Sequence, residues 1–128
     1  MLKERMSMQI EILSDLREIE EEMGNPTFTW KGKPYCFIPS VVEFNRDLDK
    51  GGFNIVMLMT ATIRRFDVVE DKDGDINLVD IFNGVFLTPQ KDIITYSVDG
   101  LNYRIESIKP DPTQSYYRIT AHSTAKFK

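Results

Sequence analysis

The sequence predicts a mainly β protein, a small β-barrel or sandwich with an amphipathic α-helix at its N-terminus. Three observations carry that prediction. The first 23 residues contain neither proline nor glycine, whereas the rest falls into short runs rich in Thr, Tyr, Phe, Val and Ile, punctuated by Gly, Pro, Asn and Asp. At 128 residues with 41% hydrophobic content, the chain supports one core rather than two. The organisation expected is therefore a helix over residues 1–25 and a barrel domain over residues 26–128.

The helix is read over residues 3–23 from its Leu, Met, Glu and Arg content. Gly24 stops it and Asn25-Pro26 prevents continuation. At about 100° per residue, the apolar positions, among them Ile12, Leu16, Ile19 and Met23, spread over roughly 200° of the circumference. One-sided docking needs a narrower stripe, so part of this face is expected to meet another subunit or a partner. Glu11, Asp15, Glu18 and Glu22 fall on nearly one line of the opposite face. Like charges at that spacing cost a few tenths of a kcal/mol each, roughly, and acids at a helix C-terminus oppose its dipole. The stripe is a solvated surface, the contact for a basic partner, or a wall that repels a polyanion.

After Pro26, Phe28 and Trp30 alternate with polar residues, residues 31–33 (Lys-Gly-Lys) form a turn, and residues 35–38 return as a strand stopped by Pro39. Residues 39–52 read as a loop broken by Gly51-Gly52. The longest strand is expected over residues 53–66. Its odd positions are apolar from Phe53 to Ile63 and its even positions pass from Val56 and Leu58 to Thr60, Thr62 and Arg64, which predicts burial of both faces at the first end only. A polar turn at residues 70–75 precedes a short strand near 76–82, with further turns at Asn83-Gly84 and 89–92. Asp99-Gly100 between two β-runs predicts a hairpin with a type I′ turn. Residues 109–112 then lead into a last strand at 116–121.

Charge and cysteine content narrow the function classes. Residues 1–23 hold seven acids and three bases, so the whole net charge of −4 lies there and the remainder is balanced. No basic footprint for nucleic acid results. One cysteine, Cys36, excludes an internal disulfide and predicts a reducing compartment. The N-terminus lacks the apolar run of a signal peptide and no stretch spans a membrane, which predicts a soluble, intracellular chain.

No constellation for chemistry emerges. Asp71, Asp73, Gly74 and Asp75 copy the opening of an EF-hand loop, but Ile76 and Phe82 occupy the positions of its required glycine and glutamate. A hairpin turn is the simpler reading. Cys36 and the sole histidine, His122, are too few for a zinc site. Cys36 reads as a buried structural thiol and His122 as a surface residue. Glycine-rich phosphate loops and nucleophile elbows are absent from the sequence. The expectation is a protein with no catalytic residue, cofactor or metal. Arg64-Arg65, the one adjacent basic pair, is either a solvated strand end or a socket for the acidic stripe of a neighbouring helix. Trp30 is a core or interface aromatic.

One resemblance spans residues 28–125. The segment Phe28-Thr-Trp-Lys-Gly-Lys-Pro-Tyr35, Gly52-Phe53 opening a strand that ends in Ile63-Arg64-Arg65, and the closing block Thr88-Pro-Gln-Lys-Asp92, Val98-Asp-Gly-Leu-Asn-Tyr-Arg-Ile105 and Tyr117-Arg-Ile-Thr-Ala121 resemble the small head–tail joining proteins of long-tailed bacteriophages and prophages. These are connector, stopper or tail-attachment proteins. Lys91 stands where that family has glycine before Asp92, and the helix here is more acidic. The resemblance implies a β-barrel that forms a ring with copies of itself, hexameric or higher. It would sit in the virion neck between portal or adaptor and tail proteins after assembly in the host cytoplasm. Such a ring lets DNA pass without specific binding and catalyses nothing. The competing reading is a small β-barrel module for a ligand or nucleic acid, for which Trp30-Lys31 and Tyr103-Arg104 are the fair examples of basic residues interleaved with aromatics.

Overall fold

A computed structural model describes residues 2–49 and 52–123, with side chains at 7–40 and 57–123. The helix α1 (Leu2–Glu22) ends as the sequence predicts. Gly24 adopts φ +82° and Asn25 φ +54°, while Gly24 N donates to Glu21 O and Asn25 N to Glu20 O. This paired closure is the Schellman arrangement, in which left-handed residues satisfy the last helical carbonyls.

Among the described residues nine strands follow: β1 (Thr27–Trp30), β2 (Lys33–Cys36), β3 (Ile38–Asp49), β4 (Gly52–Arg64), β5 (Phe66–Glu70), β6 (Ile76–Asp80), β7 (Ile93–Tyr96), β8 (Asn102–Pro110) and β9 (Tyr116–Ser123). Seven make one antiparallel sheet in the order β2-β1-β7-β8-β9-β4-β3, and β5 pairs with β6 in a second, two-stranded sheet. The edge strands β2 and β3 do not pair with each other. The sheet is therefore open rather than a closed barrel, and the sandwich form of the expectation fits.

Two local expectations are corrected. Residues 39–52 are not a loop: β3 pairs with β4 from Ile38↔Thr62 to Asp49↔Gly52. Pro39 is tolerated because β3 is an edge strand, and a register shift follows between Pro39 and Val41. The type I′ turn lies at Lys31-Gly32, where both φ values are positive (51° and 79°), not at Asp99-Gly100. There only Gly100 is left-handed, at 70°. Tyr96 N donates to Leu101 O and Gly100 N to Tyr96 O, which closes a four-residue loop. Asp99 instead accepts from Leu101 N at 2.9 Å and from the Tyr103 hydroxyl at 2.5 Å.

The core lies against one face of the large sheet. Phe28, Met59, Ala61, Ile63, Ile94, Tyr103, Ile105, Ile119 and Ala121 are buried there, joined by Phe37 and by Phe82 and Leu87 from the segment after β6. On β8, Tyr103 and Ile105 point in while Asn102, Arg104 and Glu106 are exposed, the alternation the sequence predicts. Tyr35 stacks on Phe82 at 4.8 Å and Phe86 on Tyr117 at 4.0 Å, tying that segment to β2 and β9.

The expectation that β4 is covered on both faces at its first end only does not hold at its second end. Ala61, Thr62, Ile63 and Arg64 are all buried, so both faces are covered at the end whose even positions are polar. The opposite end lies partly outside the described side chains. At Arg65 the chain leaves the sheet to begin the β5–β6 hairpin, held by Arg65 N to Ser115 O and Ile81 N to Arg65 O, each 2.9 Å.

Candidate assembly surface on the N-terminal helix

Glu20 is the residue that positions the helix. On the helical wheel it falls with Gln9, Leu13 and Leu16, away from the arc of Glu11, Asp15, Glu18 and Glu22. Leu13 is 1% exposed and Glu20 completely buried. The Glu20 carboxylate takes Arg64 in two bonds, Oε2 from Nε at 2.5 Å and Oε1 from Nη2 at 3.0 Å. Arg17 Nη1 adds a third at 3.1 Å and also reaches Asn25 Oδ1 at 2.8 Å. Arg64 Nη1 completes the cluster with Asp67 Oδ1 at 2.6 Å and Phe66 O at 3.3 Å. Burial pushes the Arg64 pKa down, but hydrogen bonds to Glu20 and Asp67 and their charges outweigh it, so the net direction is up. The guanidinium stays charged.

A second tether lies about three helical turns away. Gln9 Nε2 donates to Thr113 O at 2.8 Å, in the turn between β8 and β9. That turn is organised by Asp111. Its carboxylate accepts from the backbone of Thr113, Ser115 and Tyr116 at 3.0, 2.6 and 2.9 Å, and from the Thr113 hydroxyl. Burial opposes the charged form of Asp111, yet these donors hold its pKa below the ordinary value.

The structure thus corrects both expectations for Arg64. It is neither solvated nor a socket for a neighbour's acidic stripe, because the chain's own Glu20 occupies it. Glu20 was legible only as one acid among three at the helix end; its place in the apolar arc is the signal that marks it. Arg65 is half-buried, with its guanidinium 4.9 Å over the Phe66 ring. Trp30 sits in the core away from this cluster. Its Nε1 has no partner among the described residues, and Lys31 Nζ lies 4.8 Å from its ring.

Docking uses only part of the helix. Ile12 and Leu16 are half-buried, but Met8, Ile19 and Met23 are 54%, 40% and 46% exposed. Glu11, Asp15, Glu18 and Glu22 are all exposed beside them. The body-facing side leaves a groove of about 470 Å³ between α1 and β5, floored by Leu13, Arg64 and Val68 and rimmed by Arg17, Glu18, Glu21 and Asp67. Its two arginines are already engaged with Glu20, Glu21 and Asp67.

The other sequence candidates stay apart. Cys36 is half-buried on β2, and His122 lies on β9, with β1, β7 and β8 between them. Nδ1 of His122 is 2.6 Å from Glu106 Oε1, a close contact not aligned as a hydrogen bond. Asp71, Asp73 and Asp75 bring carboxylate oxygens within 4.8 Å of one another. Asp71 Oδ1 accepts from the backbone of Asp73 and Asp75 at 2.9 Å each, and Gly74 turns the chain at φ +82°. The cluster forms the β5–β6 turn. Among the described residues no helix is long and apolar enough to cross a membrane.

No family model matches the chain, and neither a curated protein nor a solved structure matches it.

Proposed function

We propose that this chain is a non-catalytic structural subunit that assembles into a ring in the head–tail connector of a long-tailed bacteriophage or prophage. Its neighbours in that setting are copies of itself, portal or adaptor proteins and tail proteins, and DNA passes without specific binding. The observation that carries the reading is the exposed apolar line Met8, Ile19 and Met23 on a helix fixed rigidly to the sheet by the buried Glu20–Arg64 pair. A helix pinned by a buried ion pair while keeping three large apolar side chains in water is preorganised for a partner.

Native mass spectrometry and negative-stain imaging of the purified protein test the proposal. A discrete ring mass and annular particles are expected. A monomer at every concentration, with or without portal protein, overturns it.

A further inference from the structure

We infer that the acidic face of α1 in one copy seats on the outer face of β8–β9 in another copy. The inference rests on the self-assembly reading above and names its contact surfaces. Lys109 and Arg118 lie directly opposite each other in the β8–β9 register, and both are exposed. Arg104 is exposed further along β8, opposite His122. Among the described residues none of these three bases makes an ion pair with an acid. Glu106, the acid on this face, is engaged with His122.

Like charges set directly across two strands destabilise the sheet, as do like charges three and four apart on a helix. The helix stripe and the β8–β9 face are arrangements of opposite sign, and bringing the two together relieves both. The dimensions agree. Glu11 to Glu22 spans about 16 Å at 1.5 Å per residue, and Arg104 to Lys109 spans about 16 Å at 3.3 Å per residue. Both surfaces also mix charge with exposed apolar side chains. Ile93 is 43% exposed and stands opposite Arg104 on β7, matching the line of Met8, Ile19 and Met23 beside the acids. Because donor and acceptor patches differ, successive copies add head-to-tail and close into a ring when the rotation permits.

Charge exchange tests the contact in the full-length protein. Lys109→Glu with Arg118→Glu is one variant, Asp15→Lys with Glu18→Lys the second, and all four changes together the third. Sedimentation gives the association constant of each, and thermal unfolding verifies the fold. Each double reversal is expected to weaken association by roughly tenfold or more, and the fourfold exchange to restore most of it. Association insensitive to the reversals, or not restored by the exchange, overturns this contact while leaving ring assembly standing. A protein monomeric in every form overturns both. Retardation of a short oligonucleotide by the wild type at physiological salt, lost in Lys109→Glu/Arg118→Glu, would show that the basic face serves phosphate and would also overturn it.

Discussion

Replacing Glu20 by glutamine leaves the Arg64 guanidinium inside the protein with one of its two carboxylate partners gone. Leaving a buried charge wholly uncompensated costs about 3–5 kcal/mol, and the remaining Asp67 contact makes that the upper bound here. Glu20→Gln is therefore expected to lower unfolding free energy by up to that amount in urea titrations. Glu22→Gln, two positions on and exposed, should stay within about 0.5 kcal/mol of wild type. Combining Glu20→Leu with Arg64→Met should recover much of the loss, since removing both charges also removes the desolvation cost. Asp111 gives the residue scale its pH dependence. Its folded pKa lies below the ordinary 3.8, so the fold favours the ionised carboxylate. That contribution is complete above the unfolded value and disappears as pH falls through the lower folded value. Acid unfolding followed by circular dichroism should be steeper below about pH 4 for wild type than for Asp111→Asn. The variant itself should be destabilised by about 1–3 kcal/mol at neutral pH, because the amide cannot accept all four bonds.

Elements were legible where local chemistry decides them and obscure where tertiary contact does. The Gly24-Asn25-Pro26 stop, the Lys31-Gly32 turn and the alternation of β8 follow from backbone preference and period, and all three appear. The strand β3 was hidden because Pro39 and its charged residues resemble a loop; only its place at an edge, beside β4, makes them acceptable. The Asp99-Gly100 reading failed because the Asp99 side chain caps the loop and binds Tyr103, a use the dipeptide does not disclose. In the β8–β9 turn, Gln114 is left-handed at φ +60° and fully on the surface. Asparagine tolerates that conformation with less strain than glutamine. Gln114→Asn should raise stability by about 0.5–1 kcal/mol, visible as a higher melting temperature, while the backbone bond from Gln114 N to Asp111 O is kept.

At the scale of the whole molecule, the helix buries one arc and leaves another exposed, as the excess apolar width in the sequence allows. The docked arc holds Leu13 and Glu20, and the outer arc holds Met8, Ile19 and Met23 next to the acidic stripe. The clamp residue itself was hard to find, because an acid on an apolar arc looks like noise until its cation is located 44 residues away in sequence. The basic face of β8–β9 was harder still, since Lys109 and Arg118 become neighbours only through strand register. A substitution in the outer arc separates assembly from folding. Ile19→Lys and Met23→Lys place cations on exposed positions near a helix C-terminus, where the dipole and Glu22 favour them. Unfolding free energy should therefore change by less than about 0.5 kcal/mol. Self-association should fall by roughly tenfold or more, because two anchors of the contact are replaced by ammonium groups that must be desolvated. Sedimentation and chemical denaturation on the same samples check both halves. Loss of stability in parallel with loss of assembly would mean that this arc belongs to the fold rather than to a partner.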